Sequence, residues 1–124
     1  MDPYAKIAGA SYFLSKGTSK KRRIKQAEKY LAKNDLPIKV SNKSNSNRLI
    51  THYDGKKIVA YHGTHVSGKR GLSDITADLT IPLGMQKHHN RFKRVKNEGD
   101  VFVGHSLGGA LANYAGGKYN KPAY

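Results

Sequence analysis

One serine in this chain stands in a pattern built for nucleophilic attack, Gly104-His105-Ser106-Leu107-Gly108. A serine hydroxyl attacks a carbonyl well only when the backbone presents it, a base activates it and donors wait for the developing negative charge. The G-x-S-x-G spacing meets the first need where it joins a strand to a helix. There the serine sits on a sharp, strained turn, and side chains at positions 104 and 108 would collide with the strand or helix. The flanks supply that context: Val101-Phe102-Val103 reads as a short buried strand, and Gly108, Gly109, Ala110, Ala112 and Ala115 open a helix of small residues. Its N-terminus faces Ser106, which makes the Leu107 N–H the first candidate oxyanion donor. His105, inside the pattern, points away from the serine by the geometry of such a turn.

The elements that must hold this turn are legible upstream. Arg48 to His52 and Lys57 to Tyr61 read as strands around Asp54-Gly55, a strong hairpin signal, with the second strand the more apolar and the deeper. Residues 3 to 15 carry a mixed apolar pattern that fits a short helix. From Thr18 or Ser19 as N-cap to about Lys33, Ile24, Ala27, Tyr30 and Leu31 fall at helical spacing among basic residues, giving a basic amphipathic helix that ends near Asn34-Asp35. Ile38 to Val40 reads as a brief strand, and Ser41 to Asn47 as a polar, mobile connector. After Pro82, Met85, His88 or His89, Phe92 and Val95 mark one face of a basic helix closed by Gly99. The last helix runs from about Leu107 to Tyr119, and Ala123-Tyr124 begins a further strand. Residues 1–35 thus form a basic helical segment and 36–124 a strand-rich core.

With 124 residues, the chain is long enough for one domain. It carries 23 Lys plus Arg against 8 Asp plus Glu, a formal charge of +15, concentrated between residues 16 and 33. Such a field attracts nucleic acid, anionic lipid headgroups or an acidic partner. The absence of cysteine excludes disulfides and thiolate metal sites. His62 with His65, and His88 with His89, are poor metal sites for want of further ligands, so no metal and no cofactor is expected. No apolar run suits a membrane span and Met1-Asp2-Pro3-Tyr4 lacks secretory-signal character, so an intracellular or virion-associated protein is the simpler expectation.

Gly104 through Ala112 resembles the nucleophile elbow of class 3 (fungal-type) lipases, members of the α/β-hydrolase superfamily. Lys57-Ile-Val-Ala-Tyr-His-Gly-Thr64 is similar to that family's strand ending in an Arg-Gly-Thr or Arg-Gly-Ser oxyanion motif, with His62 where Arg is usual. Ser73-Asp-Ile-Thr-Ala-Asp-Leu-Thr80 is similar to the segment that follows it. The three matches come in family order over about residues 48 to 124, and Ala10 to Arg23 looks loosely like the family's N-terminal helix. The resemblance implies a partial α/β-hydrolase fold: a mostly parallel sheet with an N-terminal hairpin and flanking helices, cut after the elbow helix. It implies Ser106 as nucleophile, Thr64 as second oxyanion donor opposite Leu107, and Asp78 as the residue that orients Thr64, with Gly104, His105 and Gly108 supporting the turn. Residues 66 to 81 would correspond to a lid, here small and polar, which argues against interfacial activation. In the family order, Ser then Asp or Glu then His, both triad partners of Ser106 would lie beyond residue 124.

Three functional readings follow. The first is a lipase-like serine hydrolase acting on carboxylic esters of lipids, its Asp and His supplied by a second polypeptide or a missing C-terminal region. The second is an inactive lipase-like structural or interaction module, such as a virion component, whose basic helices bind nucleic acid or anionic membrane. The third, a plain nucleic-acid-binding protein, is the weakest, because no recognised binding motif occurs and aromatics are not interleaved with the basic runs.

Overall fold

Asp54 and Gly55 both adopt positive φ, 54° and 72°, the requirement of a two-residue type I′ turn whose twist matches the strands it joins. They connect β1 (Arg48–Tyr53) to β2 (Lys56–Tyr61) in antiparallel register from Arg48 opposite Tyr61 to Tyr53 opposite Lys56. The computed structural model describes residues 2–15, 17–63 and 89–124. Within them, β2 continues into a parallel pairing with β3 (Val101–Gly104), Ile58 opposite Val101 and Tyr61 opposite Gly104. The result is a small mixed α/β fold, a three-stranded sheet in the order β1-β2-β3 with flanking helices.

The hairpin and flanking helices are as expected, but the described sheet is evenly mixed rather than mostly parallel. Its far edge is partly covered by Ala123 and Tyr124, where a further strand is expected to begin. Ala123 bridges Phe102 in parallel, and backbone bonds Phe102 N–H to Pro122 O, Tyr124 N–H to Phe102 O and Gly104 N–H to Tyr124 O run along β3.

Strand alternation divides the apolar residues between two layers. Leu49, Ile58, Ala60, Val101 and Val103 face one core with Ile7, Ala10, Leu14, Ala27 and Leu31. These last come from α1 (Pro3–Ala10), the 3-10 turn Ser11–Ser15 and α2 (Lys20–Lys33). Ile50, Val59, Tyr61 and Phe102 face the other core with Val95, Leu111, Ala112 and Ala115. Strands buried on both sides read as continuous apolar runs, and Ile58 to Tyr61 is such a run.

The helix boundaries follow local chemistry. Ser19 caps α2, its Oγ accepting the Arg22 N–H at 3.3 Å, one of the amides a helix start leaves unpaired. The final helix, α4 (Leu107–Tyr119), stops where Asn120 turns left-handed at φ 56° and the Lys121 amide returns to Gly116 O.

Three expectations change. Ile38 to Val40 contracts to one bridge, Val40 opposite Thr51. The Ser41 to Asn47 connector is a hydrogen-bonded loop: buried Ser44 accepts the Ile50 N–H at 2.8 Å, and Asn45 Oδ1 accepts the Asn47 N–H. The helix before β3 appears as α3 (His89–Lys93) and closes well short of Gly99. Gly99 answers a packing need instead, since a Cβ there would stand 2.6 Å from Val59 Cγ2.

Candidate functional site

The β3–α4 turn puts Ser106 at φ 61° and ψ −124°. For a residue with a Cβ this conformation costs about 1–3 kcal/mol, so the surroundings must impose it. They do so by backbone crowding. A Cβ at Gly104 would overlap the Gly108 carbonyl, and one at Gly108 would overlap the Tyr61 carbonyl. The two glycines therefore let α4 rest directly on the ends of β2 and β3. Gly63 completes the junction: a Cβ there would lie 2.5 Å from both His105 O and Tyr12 Oη, and 3.2 Å from Ser106 Cβ.

Ser106 Oγ is buried and has no hydrogen-bond partner among the described residues, and the side chain makes no cap bond to α4. The first helical amides divide sharply. Gly108 N–H bonds His105 O, while Gly109 and Ala110 N–H bond Ser106 O. The Leu107 amide has no backbone acceptor among the described residues, the arrangement expected at the open end of a helix. A hydroxyl and an amide without a backbone acceptor, on adjacent residues at a helix N-terminus, are two of the three elements needed to attack a carbonyl and hold the resulting oxyanion; the third is a base.

The remaining expected residues fall as follows. His105 is exposed, with its ring edge-on to Tyr12 at 6.4 Å, and it makes no hydrogen bond to Ser106. Thr64 and Asp78 lie outside the described residues, as do His65, His88 and the segment compared with a lid. His62 is committed to structure: its Nδ1 lies 2.8 Å from Gly63 O and its Nε2 2.7 Å from Ser46 O. With both ring nitrogens within hydrogen-bond distance of backbone carbonyls, neither is offered to Ser106 as a base. Among the described residues no three His, Cys, Asp or Glu side chains gather into a metal-ligating group.

Two residues near the site carried no usable sequence signal. Arg91, in α3, sends Nη2 to His62 O at 2.7 Å and toward Asn47 O at 3.4 Å. Desolvation lowers its pKa, partly offset by neighbouring Tyr12 and Tyr61. Tyr12 sits over Gly63, and burial raises its hydroxyl pKa against the opposing influence of the Gly63 backbone and Arg91. In the sequence, Tyr12 belongs to a mixed apolar stretch and Arg91 to a basic helix, so neither stands out. The His-Gly pair at 62–63 was the available clue that β2 ends in a crowded turn.

No family model, curated protein or solved structure matches the chain. A fold alone does not fix an activity, so function is read from the site itself. Among the described residues, no helix is long and apolar enough to cross a membrane.

Proposed function

We propose that the chain is the serine-bearing part of a class 3 lipase-like hydrolase, with a partial α/β-hydrolase fold, that acts on carboxylic esters of lipids. The observation that carries this reading is the backbone of Ser106, φ 61° and ψ −124° at a strand-to-helix turn whose Gly104 and Gly108 admit no Cβ. Ser106 Oγ attacks the ester carbonyl. The Leu107 N–H and, by resemblance, Thr64 stabilise the tetrahedral oxyanion, the alcohol leaves, and water hydrolyses the acyl-enzyme. Ser106 Oγ has no hydrogen-bonded base among the described residues. In this reading the His and its acidic partner come from a second polypeptide or a C-terminal region that completes the fold.

The test is a fluorophosphonate, which modifies activated serines, applied to the natively isolated protein and read by mass spectrometry. An adduct on Ser106 that disappears in Ser106→Ala, together with loss of ester turnover, is the expected result. An unlabelled Ser106, or turnover unchanged in Ser106→Ala, would overturn the proposal.

A second reading is favoured by α2, where Lys20, Lys21, Arg22, Lys25, Lys29 and Lys33 are all exposed. An inactive lipase-like module, in a virion or elsewhere, would use this face on nucleic acid or anionic membrane. Its retention on such a surface would fall steeply with salt, and retention indifferent to salt would exclude it.

A further inference from the structure

A concave site is lined by Tyr61, which belongs to the core on the sheet face opposite the one that α2 packs against. It is a cavity of about 340 Å³ whose lining includes Arg48, Tyr61, Arg91, Arg94 and Lys96. The only described acid engaged with this group is Glu98, and Arg48 occupies it fully, Nε to Oε2 at 2.8 Å and Nη2 to Oε1 at 2.9 Å. Arg91, Arg94 and Lys96 make no ion pair among the described residues. Concentrating three such cations around one concavity is unfavourable by mutual repulsion, and it is most unfavourable for half-buried Arg91, which has lost part of its hydration.

Two buried donors sharpen the observation. Tyr61 is 3% exposed, and among the described residues its hydroxyl has no hydrogen-bond partner; Arg91 Nε is likewise buried and unpartnered there. Buried polar atoms are normally satisfied, so a pair of orphan donors in two residues lining one cationic cavity calls for an acceptor. A carboxylate offers one negative charge and two oxygens. A phosphate monoester offers up to two charges and three terminal oxygens, and it accepts guanidinium groups bidentately, which matches this donor set more closely.

We infer that this cavity is a binding site for a phosphate monoester group, held by Arg91, Arg94, Lys96 and the Tyr61 hydroxyl. The volume is at the small end of the range for ligand sites, suiting a phosphate with a short organic arm. The arm belongs either to a soluble ester or to a lipid headgroup. The site is independent of the hydrolase reading, and its test measures binding without turnover, so the two fail separately.

The experiment is calorimetric titration of the full chain with inorganic phosphate and with glycerol 3-phosphate. It is paired with sedimentation on phosphatidylcholine vesicles with and without phosphatidic acid. Arg94 and Lys96 are exposed, so the double variant Arg94→Gln/Lys96→Gln retains the fold while removing two ligands. Tyr61→Phe removes one hydroxyl and keeps the ring. Saturable phosphate binding is expected, weakened about tenfold or more by the double variant, less by Tyr61→Phe, and little by Lys20→Gln/Lys21→Gln on α2. Absence of saturable binding would overturn the site. So would equal weakening by the α2 and cavity variants, which would reduce the effect to net charge. If the cavity variant also releases the chain from phosphatidic acid vesicles, the phosphate is a lipid headgroup. Phosphate binding without that loss assigns a soluble ester.

Discussion

Around Ser106 a single methyl group has nowhere to go, whereas along the outer face of α2 six long cationic side chains stand in water. The elbow is specified by shape. Its positions 63, 104 and 108 each exclude a Cβ through contact with backbone, and its serine Oγ is buried without a hydrogen-bond partner among the described residues. The α2 face is specified by charge alone, and many arrangements of Lys and Arg would give the same field. A site of the first kind tolerates few substitutions and can choose among substrates. One of the second kind tolerates many and chooses only the sign of its partner.

The largest expected effect tests the shape argument within a single helix. Gly108→Ala drives a Cβ into the Tyr61 carbonyl, backbone against backbone, so α4 must move off β2. We expect a loss of about 3 kcal/mol or more in urea unfolding. Gly117→Ala, on the same helix, meets nothing within 4 Å and should raise stability by about 0.5–1 kcal/mol, as alanine does in helices. Similar outcomes for the two variants would remove crowding as the reason for the elbow glycines.

Alkaline pH probes the residue beneath that contact. Burial, reinforced by Glu98, raises the Tyr61 hydroxyl pKa well above its ordinary value of 10.0. The unfolded chain ionises this phenol near pH 10 and the folded chain resists, so folding gains a contribution that is whole below pH 10 and lost as pH climbs above it. Stability should therefore fall more steeply above pH 10 in the native sequence than in Tyr61→Phe. Equal slopes would show that Tyr61 is not shielded from water.

Ser106→Gly is the subtler test of strain. Glycine adopts positive φ without a Cβ penalty, so this variant should be about 1 kcal/mol more stable than the native chain, while Ser106→Ala keeps the strain and gains nothing. Both remove the hydroxyl. If Gly and Ala behave alike, the Ser106 backbone is relaxed and the central support for the hydrolase reading is gone.

What the sequence disclosed was local, and what it concealed was mostly long-range. Asp54-Gly55 announced the hairpin because an I′ turn demands positive φ at both positions, and Ser19 announced α2 because a cap acts on the next turn. Gly104 and Gly108 marked the elbow because the steric conflict they avoid lies within a few residues and in the adjoining strand. Tyr12 reaches His105 across 93 residues of sequence and Arg91 reaches His62 across 29, and such pairings leave no periodic trace. The same limit explains Gly99, placed as a helix stop when its real neighbour is Val59 in β2.

Even α2 is not uniform, and its residues offer the smallest contrast. Exposed Lys21 and Lys25 should tolerate Gln within about 0.5 kcal/mol, because surface charges add little to stability. Arg23 and Glu28 belong to the same charged run but are tied inward. Arg23 Nη1 donates to Leu14 O at 2.7 Å, and Glu28 Oε2 accepts the Val40 N–H at 2.8 Å. Each bond joins α2 to a segment it would otherwise only touch, and hydrogen bonds to charged groups contribute about 1.5–3 kcal/mol. Arg23→Ala and Glu28→Ala should therefore fall toward the lower part of that range in urea unfolding, given their partial exposure. Retention on an anionic column should show the reverse ranking, falling for Lys21→Gln/Lys25→Gln and rising for Glu28→Ala, which removes a negative charge. A parallel ranking in both measurements would mean that α2 is one undivided charged surface, and that its inward and outward residues do not have separate roles.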